Sequence, residues 1–440
     1  MVGPSRLRLV PLIGATYFIV SGGPYGIEEL VRGAGYRIAL LALLVVPVVW
    51  SLPTALLVGE LGAALPDEGG YYTWVRRGLG RFWGVQEAWL SLLASVFDMG
   101  IYPTLFATYL ARVYPFAGRP MPRIALGVAM IAACVIVNLR GARAVGRGSL
   151  VFGAIMLSPF VVLAFMAFGS STDTATPWSI PGADLTGGLL VVMWNTMGFD
   201  GASTFAGEVD NPQRNYPVAM VYTTLLVIIT YVLPVLAARN LGFPSTAFDG
   251  GAWVAIGSWI GGPWLGHAIV LGGLLSAAGM FNALLLSYSR LPLALAVDGY
   301  LPAWLARCSP KTGVPVAAVL VLSVAWAASL GLGFDRLVLF DVTLYGLSLL
   351  LEFAALLALR LREPHLARPF RIPGGVLTLC LMCVPPMGLL AVAFWHERSV
   401  RIAGVPALWI SGLFVLLGAP LYLWGESRRR RGAAMSGDRG

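Results

Sequence analysis

Apolar residues run along this chain in blocks of about 20, each long enough to cross a bilayer as a helix. Short polar joints separate them. The blocks fall at roughly 9–33, 37–62, 83–114, 121–138, 149–169, 186–208, 216–239, 262–297, 314–332, 337–360, 374–395 and 404–424. This pattern predicts an all-α polytopic membrane protein of about twelve spans. A membrane β-barrel would show alternating strands of about 10 residues, and the blocks here are continuous. No joint is long enough for a separate soluble domain.

Two blocks are interrupted. The first carries Ser21-Gly22-Gly23-Pro24-Tyr25-Gly26-Ile27-Glu28 near its middle. A helix through it would lose a backbone bond at the proline and about 1 kcal/mol at each glycine. In hydrocarbon that is tolerated only where the opened backbone lines protein or a water-filled cavity. The sixth block breaks at Gly198-Phe199-Asp200-Gly201-Ala202-Ser203-Thr204. Matched breaks five helices apart predict two inverted repeats with a site between the broken helices. The chain then reads as a single membrane transport domain over 1–440: repeats at about 9–169 and 186–360, further helices at about 374–424, and a basic tail at 425–440.

Composition agrees. Hydrophobic residues make up 58% and charged residues 12% of the chain, against about 25% charged in a soluble domain, and mean hydropathy is +0.79. The net charge of +9 forms no single basic face, so no nucleic-acid partner is expected. With the N-terminus inside, 21 of the 30 Lys and Arg fall on inner segments, which predicts a multi-pass protein of the plasma or inner membrane with both termini cytoplasmic. Arg6 and Arg8 precede an apolar run without a small-residue cleavage site, so the first span is expected to be retained. Residues 170–184, with Asp173 and Asp184, read as an acidic outer loop, 70–84 as an interfacial helix or gate, and Arg428–Arg431 as a topology anchor. Cys380 and Cys383 form a C-x-x-C inside a span with no histidine nearby, which predicts packing and no metal.

A charged side chain near the bilayer centre costs about 2.5–3.5 kcal/mol and marks a pathway. Asp98, Asp200, Asp341 and Glu352 sit in predicted spans with no base in the same helical turn. Ser91, Ser95, Asp98 and Tyr102 share one helical face, and Asp341, Tyr345, Ser348 and Glu352 repeat that spacing in the tenth span. These stripes are expected to line a cavity. Glu28 begins the second half of the broken first helix, where capping, gating and cation binding are all open. Glu60 and Glu208, near helix ends, are expected to anchor loops or pair with arginines at an inner gate.

Several stretches resemble a known superfamily. Gly22-Gly23-Pro24-Tyr25-Gly26, Ile101-Tyr102-Pro103, LSPF at 157–160, STFAGEVDNP at 203–212, DGYLP at 298–302, LLLEFAALLALRLREP at 349–364 and RPFRIP at 368–373 are similar to the amino acid–polyamine–organocation permeases. Plant-type polyamine uptake transporters and their bacterial relatives are nearest in pattern. The resemblance spans Leu9 to about Leu423 and implies a five-plus-five inverted repeat with two added helices, and proton-coupled uptake of an amino acid or polyamine. It also implies that the broken helices cradle substrate, with Asp98, Tyr102, Asp200, Asp341, Tyr345 and Glu352 at matching acidic or aromatic positions. The chain departs at Leu284 and Tyr288, where the polyamine carriers have acidic residues. The fifth span lacks the lysine that replaces sodium in many amino acid carriers, and Met156 is the nearest equivalent. No cofactor is expected, and protons are favoured over sodium.

Two substrate chemistries follow. An amino acid would set its carboxylate against free N–H groups at Gly22–Gly26 and its ammonium near Gly198–Gly201. A polyamine would use acids with Tyr25, Tyr102 and Tyr345 for ion pairs and cation–π contacts. Ser21, Gly22, Gly23, Tyr25, Gly26, Asp98, Tyr102, Phe199, Asp200, Gly201 and Tyr345 are therefore candidate substrate-binding residues. Glu28, Asp98, Asp341 and Glu352 are candidates for proton coupling or cation binding. Four buried acids without a buried base favour a cationic substrate over a neutral amino acid. An intramembrane protease would need Gly-x-Gly-Asp, and H-E-x-x-H and G-x-S-x-G are also absent. No attached signalling domain supports a non-transporting sensor. The expected partners are a small-molecule substrate and the lipid bilayer, and the oligomeric state is left open.

Overall fold

The first block folds as two helices with an opened segment between them. In the computed structural model, α1 (Leu9–Val20) ends at Ser21 and α2 (Glu28–Val46) begins beyond Ile27. Gly23 and Gly26 take φ of 77° and 90°, the left-handed region where a side chain is strained. Gly35, at φ 71°, turns the chain within α2, so residues 28–34 form a short half-helix and the second span starts after it. One π turn, Pro47–Ser51, then leads into α3 (Leu52–Ala64). The structure describes residues 8–66, 69–140, 149–169, 176–178 and 185–437, with the side chains of 149–152, 204–208 and 431–437 also outside the description.

The remaining elements follow the apolar blocks. They are α4 (Gly70–Leu79), α5 (Arg81–Ala111), α6 (Pro120–Leu139), α7 (Ser149–Gly169), α8 (Leu185–Asn195), a 3₁₀ segment (Phe199–Glu208) and α9 (Pro212–Asn240). After these come α10 (Ala252–Gly261), α11 (Pro263–Tyr288), α12 (Arg290–Val297), α13 (Val316–Ser329), α14 (Phe334–Arg362) and α15 (Gly375–Glu397). A two-residue hairpin pairs Arg401 with Pro406 before α16 (Ala407–Leu416) and α17 (Gly418–Gly437). The second break is therefore α8, an opened turn at Thr196–Gly198, and 3₁₀ turns in place of a second α-helical half. The apolar pattern did not mark α10 as an element. The acidic loop expected at 170–184 lies largely outside the described residues.

Among the described residues, eight helical stretches are long and apolar enough to cross a membrane, and four apolar helices are shorter. Their outer faces carry bare apolar side chains: Phe165 is 81% and Trp409 74% exposed. Such surfaces suit lipid and would be costly in water. The chain is a multi-pass membrane protein.

α5 and α14 pack antiparallel at the centre. The rings of Phe97 and Phe340 lie 4.9 Å apart, and Leu337 reaches Gly100. Farther along, α4 presses on α14: a Cβ on Gly78 would stand 2.9 Å from the Ala355 carbonyl oxygen. Small residues at such crossings let helices approach closely where lipid removes the usual hydrophobic drive.

Candidate functional site

The two breaks face each other and are bonded through α9 and α11. The Gly23 N–H donates to Ser21 Oγ (3.1 Å), which donates to the Tyr231 hydroxyl (2.8 Å). Tyr231 in turn donates to the Asn195 carbonyl at the end of α8 (2.9 Å). Ser276 Oγ donates to the Gly22 carbonyl (2.6 Å). A Cβ on Gly201 would stand 3.1 Å from Ile19 Cγ2, so both glycine-rich segments allow close approach. Between them lies a cavity of about 30 Å³ whose lining includes Gly22, Tyr25, Asp98, Tyr102, Trp194 and Tyr345. That volume holds one or two waters.

Asp98 is the cavity's charged group, and aromatic donors surround it. One carboxylate oxygen accepts from the Tyr102 hydroxyl (2.8 Å) and the Trp194 indole N–H (3.3 Å). The other accepts from the Tyr288 hydroxyl (3.1 Å). Asp98 and Tyr102 meet because they are four residues apart on α5. A carboxylate walled by two phenols and an indole is chemistry for a cation: an ammonium gains both the ion pair and the ring faces. Trp194 and Tyr288 were not among the sequence candidates. Tyr288 had a signal, since it fills a position where the resembling carriers have an acid.

The second break is held by Tyr345. Its hydroxyl accepts from the Gly198 N–H (3.1 Å) and donates to Asp200 Oδ1 (2.5 Å). Phe199 is 1% exposed and belongs to the core. Asp341 and Glu352 do not line the cavity. Both are buried, and no oxygen of either has a hydrogen-bond partner among the described residues. Asp341 lies within Coulombic reach of Asp98 and Asp200, and Glu352 of Asp200 and Glu87. The stripe on α14 thus turns towards α5 and the second break. Glu87, missed from sequence, continues the α5 stripe one turn before Ser91, whose hydroxyl donates to it (2.7 Å).

The first break differs from expectation in two respects. Its N–H groups are not all free for a substrate carboxylate: Gly23 N–H is held by Ser21, and Gly26 N–H donates to the Glu28 carboxylate (2.7 Å). Tyr25 packs edge-on to Tyr109 and Phe160, with centroids 5.0 and 5.1 Å away. Its hydroxyl donates to the Ile269 carbonyl (3.1 Å). Gly272 and Gly273 leave room for that ring: a Cβ on Gly273 would stand 3.1 Å from Tyr25 Cε1. Met156 sits beneath the same break, with its methyl 3.3 Å from where a Cβ on Gly23 would be.

Both sides of the cavity are tied shut. On the α10 side, Glu28 accepts from the Tyr109 hydroxyl and from the Gly251 N–H (3.2 Å). There the Trp253 indole donates to the Pro24 carbonyl (2.7 Å), and Arg112 pairs with Asp249 (2.6 Å). On the α4 side, Tyr72 and Arg76 both donate to Asp298. Arg77 grips Glu363 with two nitrogens (3.0 and 2.7 Å), and its hydrogen bonds hold the Glu363 carboxyl below the usual range. Glu60 accepts from Arg360 and from the Ile372 N–H (2.8 Å), with Arg368 at 3.3 Å. The Glu208 side chain lies outside the described residues.

A family model described as amino acid permease matches residues 13–422. The polyamine transporter RMV1 of Arabidopsis thaliana is 35% identical over 397 residues, covering 88% of this chain and 80% of that one. The polyamine transporter PUT1 of Oryza sativa subsp. japonica is 36% identical over 400 residues, covering 88% and 74%. An uncharacterized transporter of Legionella pneumophila is 29% identical over 363 residues, covering 75% and 76%. A match of this extent shows that the chain belongs to the amino acid permease family, and that it is a membrane transporter and not an enzyme.

Proposed function

We propose that the protein is a proton-coupled importer of small organic cations, polyamines first among them, in the cell membrane. One observation carries the reading. The N-terminus of the half-helix at 28–34 would receive an amino acid's carboxylate, but Glu28 already takes the Gly26 N–H there. Asp98 with its three aromatic donors offers instead a seat for an ammonium. The names of the plant relatives agree in substrate class.

Protons are favoured over sodium because the buried acids Asp98, Asp200, Asp341 and Glu352 have no basic partner among the described residues, and an unpaired buried carboxylate must take up a proton or a cation. The Met156 thioether beneath the first break is a poor ligand for a hard cation, which prefers oxygen. A five-plus-five inverted repeat with two added helices, both termini cytoplasmic, accommodates the paired breaks and the arginine distribution. In that frame the α4 side is the inner barrier and the α10 side the outer one.

The test is uptake by purified protein in liposomes under an imposed pH gradient. Labelled putrescine, spermidine, arginine, leucine and threonine are compared, with and without a protonophore. Amine uptake that collapses with the protonophore, and falls at least tenfold in Asp98→Asn, is expected. Sodium-dependent uptake indifferent to the pH gradient, or leucine uptake untouched by Asp98→Asn, would overturn the reading.

A further inference from the structure

The cavity uses one end of the acidic stripes on α5 and α14, and the other end is built as carefully. Asp98 and Asp341 lie within Coulombic reach of each other across the two helices, and eleven residues away on each helix so do Glu87 and Glu352. The antiparallel packing makes these tiers meet in register: as α5 numbers rise past Phe97 and Gly100, α14 numbers fall past Phe340 and Leu337. Eleven residues of helix separate the tiers by about 16 Å. Asp200 lies between them, within Coulombic reach of Asp341 above and Glu352 below.

The lower tier is sealed and unsatisfied. Glu87 and Glu352 are both 0% exposed. Neither Glu352 oxygen nor Glu87 Oε2 has a hydrogen-bond partner among the described residues. Ser91 gives Glu87 the one bond it has among the described residues. No described arginine, lysine or histidine pairs with either acid, although Glu60, farther towards the same side, collects two arginines. Two buried carboxylates kept without a base cost several kcal/mol unless something positive reaches them.

We propose that Glu87 and Glu352 form a second ammonium station on the α4 side of the Asp98 seat, which receives the leading nitrogen of a long linear polyamine while the trailing nitrogen still occupies that seat. The inference rests on the cationic reading above and extends it to chain length. An extended tetraamine has terminal nitrogens about as far apart as the tiers, and a diamine spans about a third of that distance. Asp200 stands where an inner nitrogen of the longer chain would pass. The tiers act as successive partners, so a long chain exchanges one carboxylate for the next without a fully unpaired step. A diamine engages one tier at a time and gains nothing from the second.

The test is a chain-length series with the full-length protein in liposomes, under the same gradient, using putrescine, spermidine and spermine. In Glu87→Gln, spermine uptake is expected to fall at least tenfold while putrescine uptake stays within about twofold of wild type. Glu87→Asp, which keeps the charge, is expected to retain spermine uptake within about threefold. Misfolding of Glu87→Gln, seen by size exclusion, leaves Glu87→Ala to decide by the same criterion. Equal losses for all chain lengths, or no loss for spermine, would overturn the second station. A wild type that carries no amine of any length would overturn the cationic reading itself, a distinct result.

Discussion

Glu28 joins the substrate seat to α10, and its removal tests that join. In Glu28→Gln the side-chain shape is kept, but the acceptor of three donors becomes a neutral amide. The Gly26 N–H, the Gly251 N–H and the Tyr109 hydroxyl all point at the carboxylate. With Glu28 ionised, hydrogen bonds to it contribute about 1.5–3 kcal/mol and those to a neutral acceptor about 0.5–1.5, so each bond weakens by about 1 kcal/mol. Glutamine's NH₂ also faces at least one donor. The closed contact between α10 and the first break should therefore weaken by about 3 kcal/mol, which is roughly a hundredfold in the ratio of closed to open forms. Hydrogen exchange reads this directly, because the Gly251 amide is itself one of the three donors. Peptides covering 249–256 should exchange about a hundredfold faster in Glu28→Gln, and about five- to tenfold faster in Tyr109→Phe, which removes one donor. Peptides from α13, remote from the clasp, should not change. Unchanged exchange at 249–256, or equal acceleration in α13, would refute the assignment of Glu28 as the clasp.

Two further outcomes concern the α4 side. Glu60→Gln leaves the guanidinium groups of Arg360 and Arg368, 2% and 6% exposed, without their carboxylate, and a broken buried pair costs about 3–5 kcal/mol; a thermal-unfolding loss below 1 kcal/mol would count against it. The Arg77–Glu363 pair lies at the surface, so a double-mutant cycle on thermal stability should give less than about 1 kcal/mol at pH 7. Because the folded-state Glu363 pKa is lowered, that contribution is present above the unfolded carboxyl's ordinary range near pH 4 and is lost as pH falls through the lowered folded value; a coupling that grows on acidification would refute it.

Much of the architecture is written in the chain as local chemistry. Gly22-Gly23-Pro24 and Gly198 announce the two breaks because glycine and proline act on the backbone wherever they fall. The Asp98–Tyr102 bond follows from helical spacing alone. Periodicity gives a helix its polar face but does not say which neighbour that face meets. That is why Asp341 and Glu352, placed by sequence on a cavity wall, turn out to face α5 and the second break. Glu87 went unnoticed because it sits near the arginine-bearing end of its block, where a carboxylate reads as solvated. The seat for a substrate carboxylate looked open because nothing local shows that Ser21 and Glu28 fold back onto the Gly23 and Gly26 N–H groups. Tyr25 carries the same lesson, since its hydroxyl partner, Ile269, is far away in sequence. The helix α10 escaped because its apolar block is too short to announce a span.

The π turn at Pro47–Ser51 has a consequence for the phase of the whole second span. A regular helix advances by about 100° per residue, and a π turn holds one residue more than an α turn. Before it, Tyr36 faces the Phe243 carbonyl (2.7 Å). At its end, Ser51 donates to the Thr196 carbonyl at the second break, and Trp50 lies against Tyr345 with centroids 6.4 Å apart. Wound as a regular α-helix, the same residues would turn Trp50 and Ser51 by about 100° relative to Tyr36. Either Tyr36 would lose its carbonyl or Trp50 and Ser51 would swing away from the second break. The turn works as a spacer of one residue that keeps two distant contacts on the same rod in step.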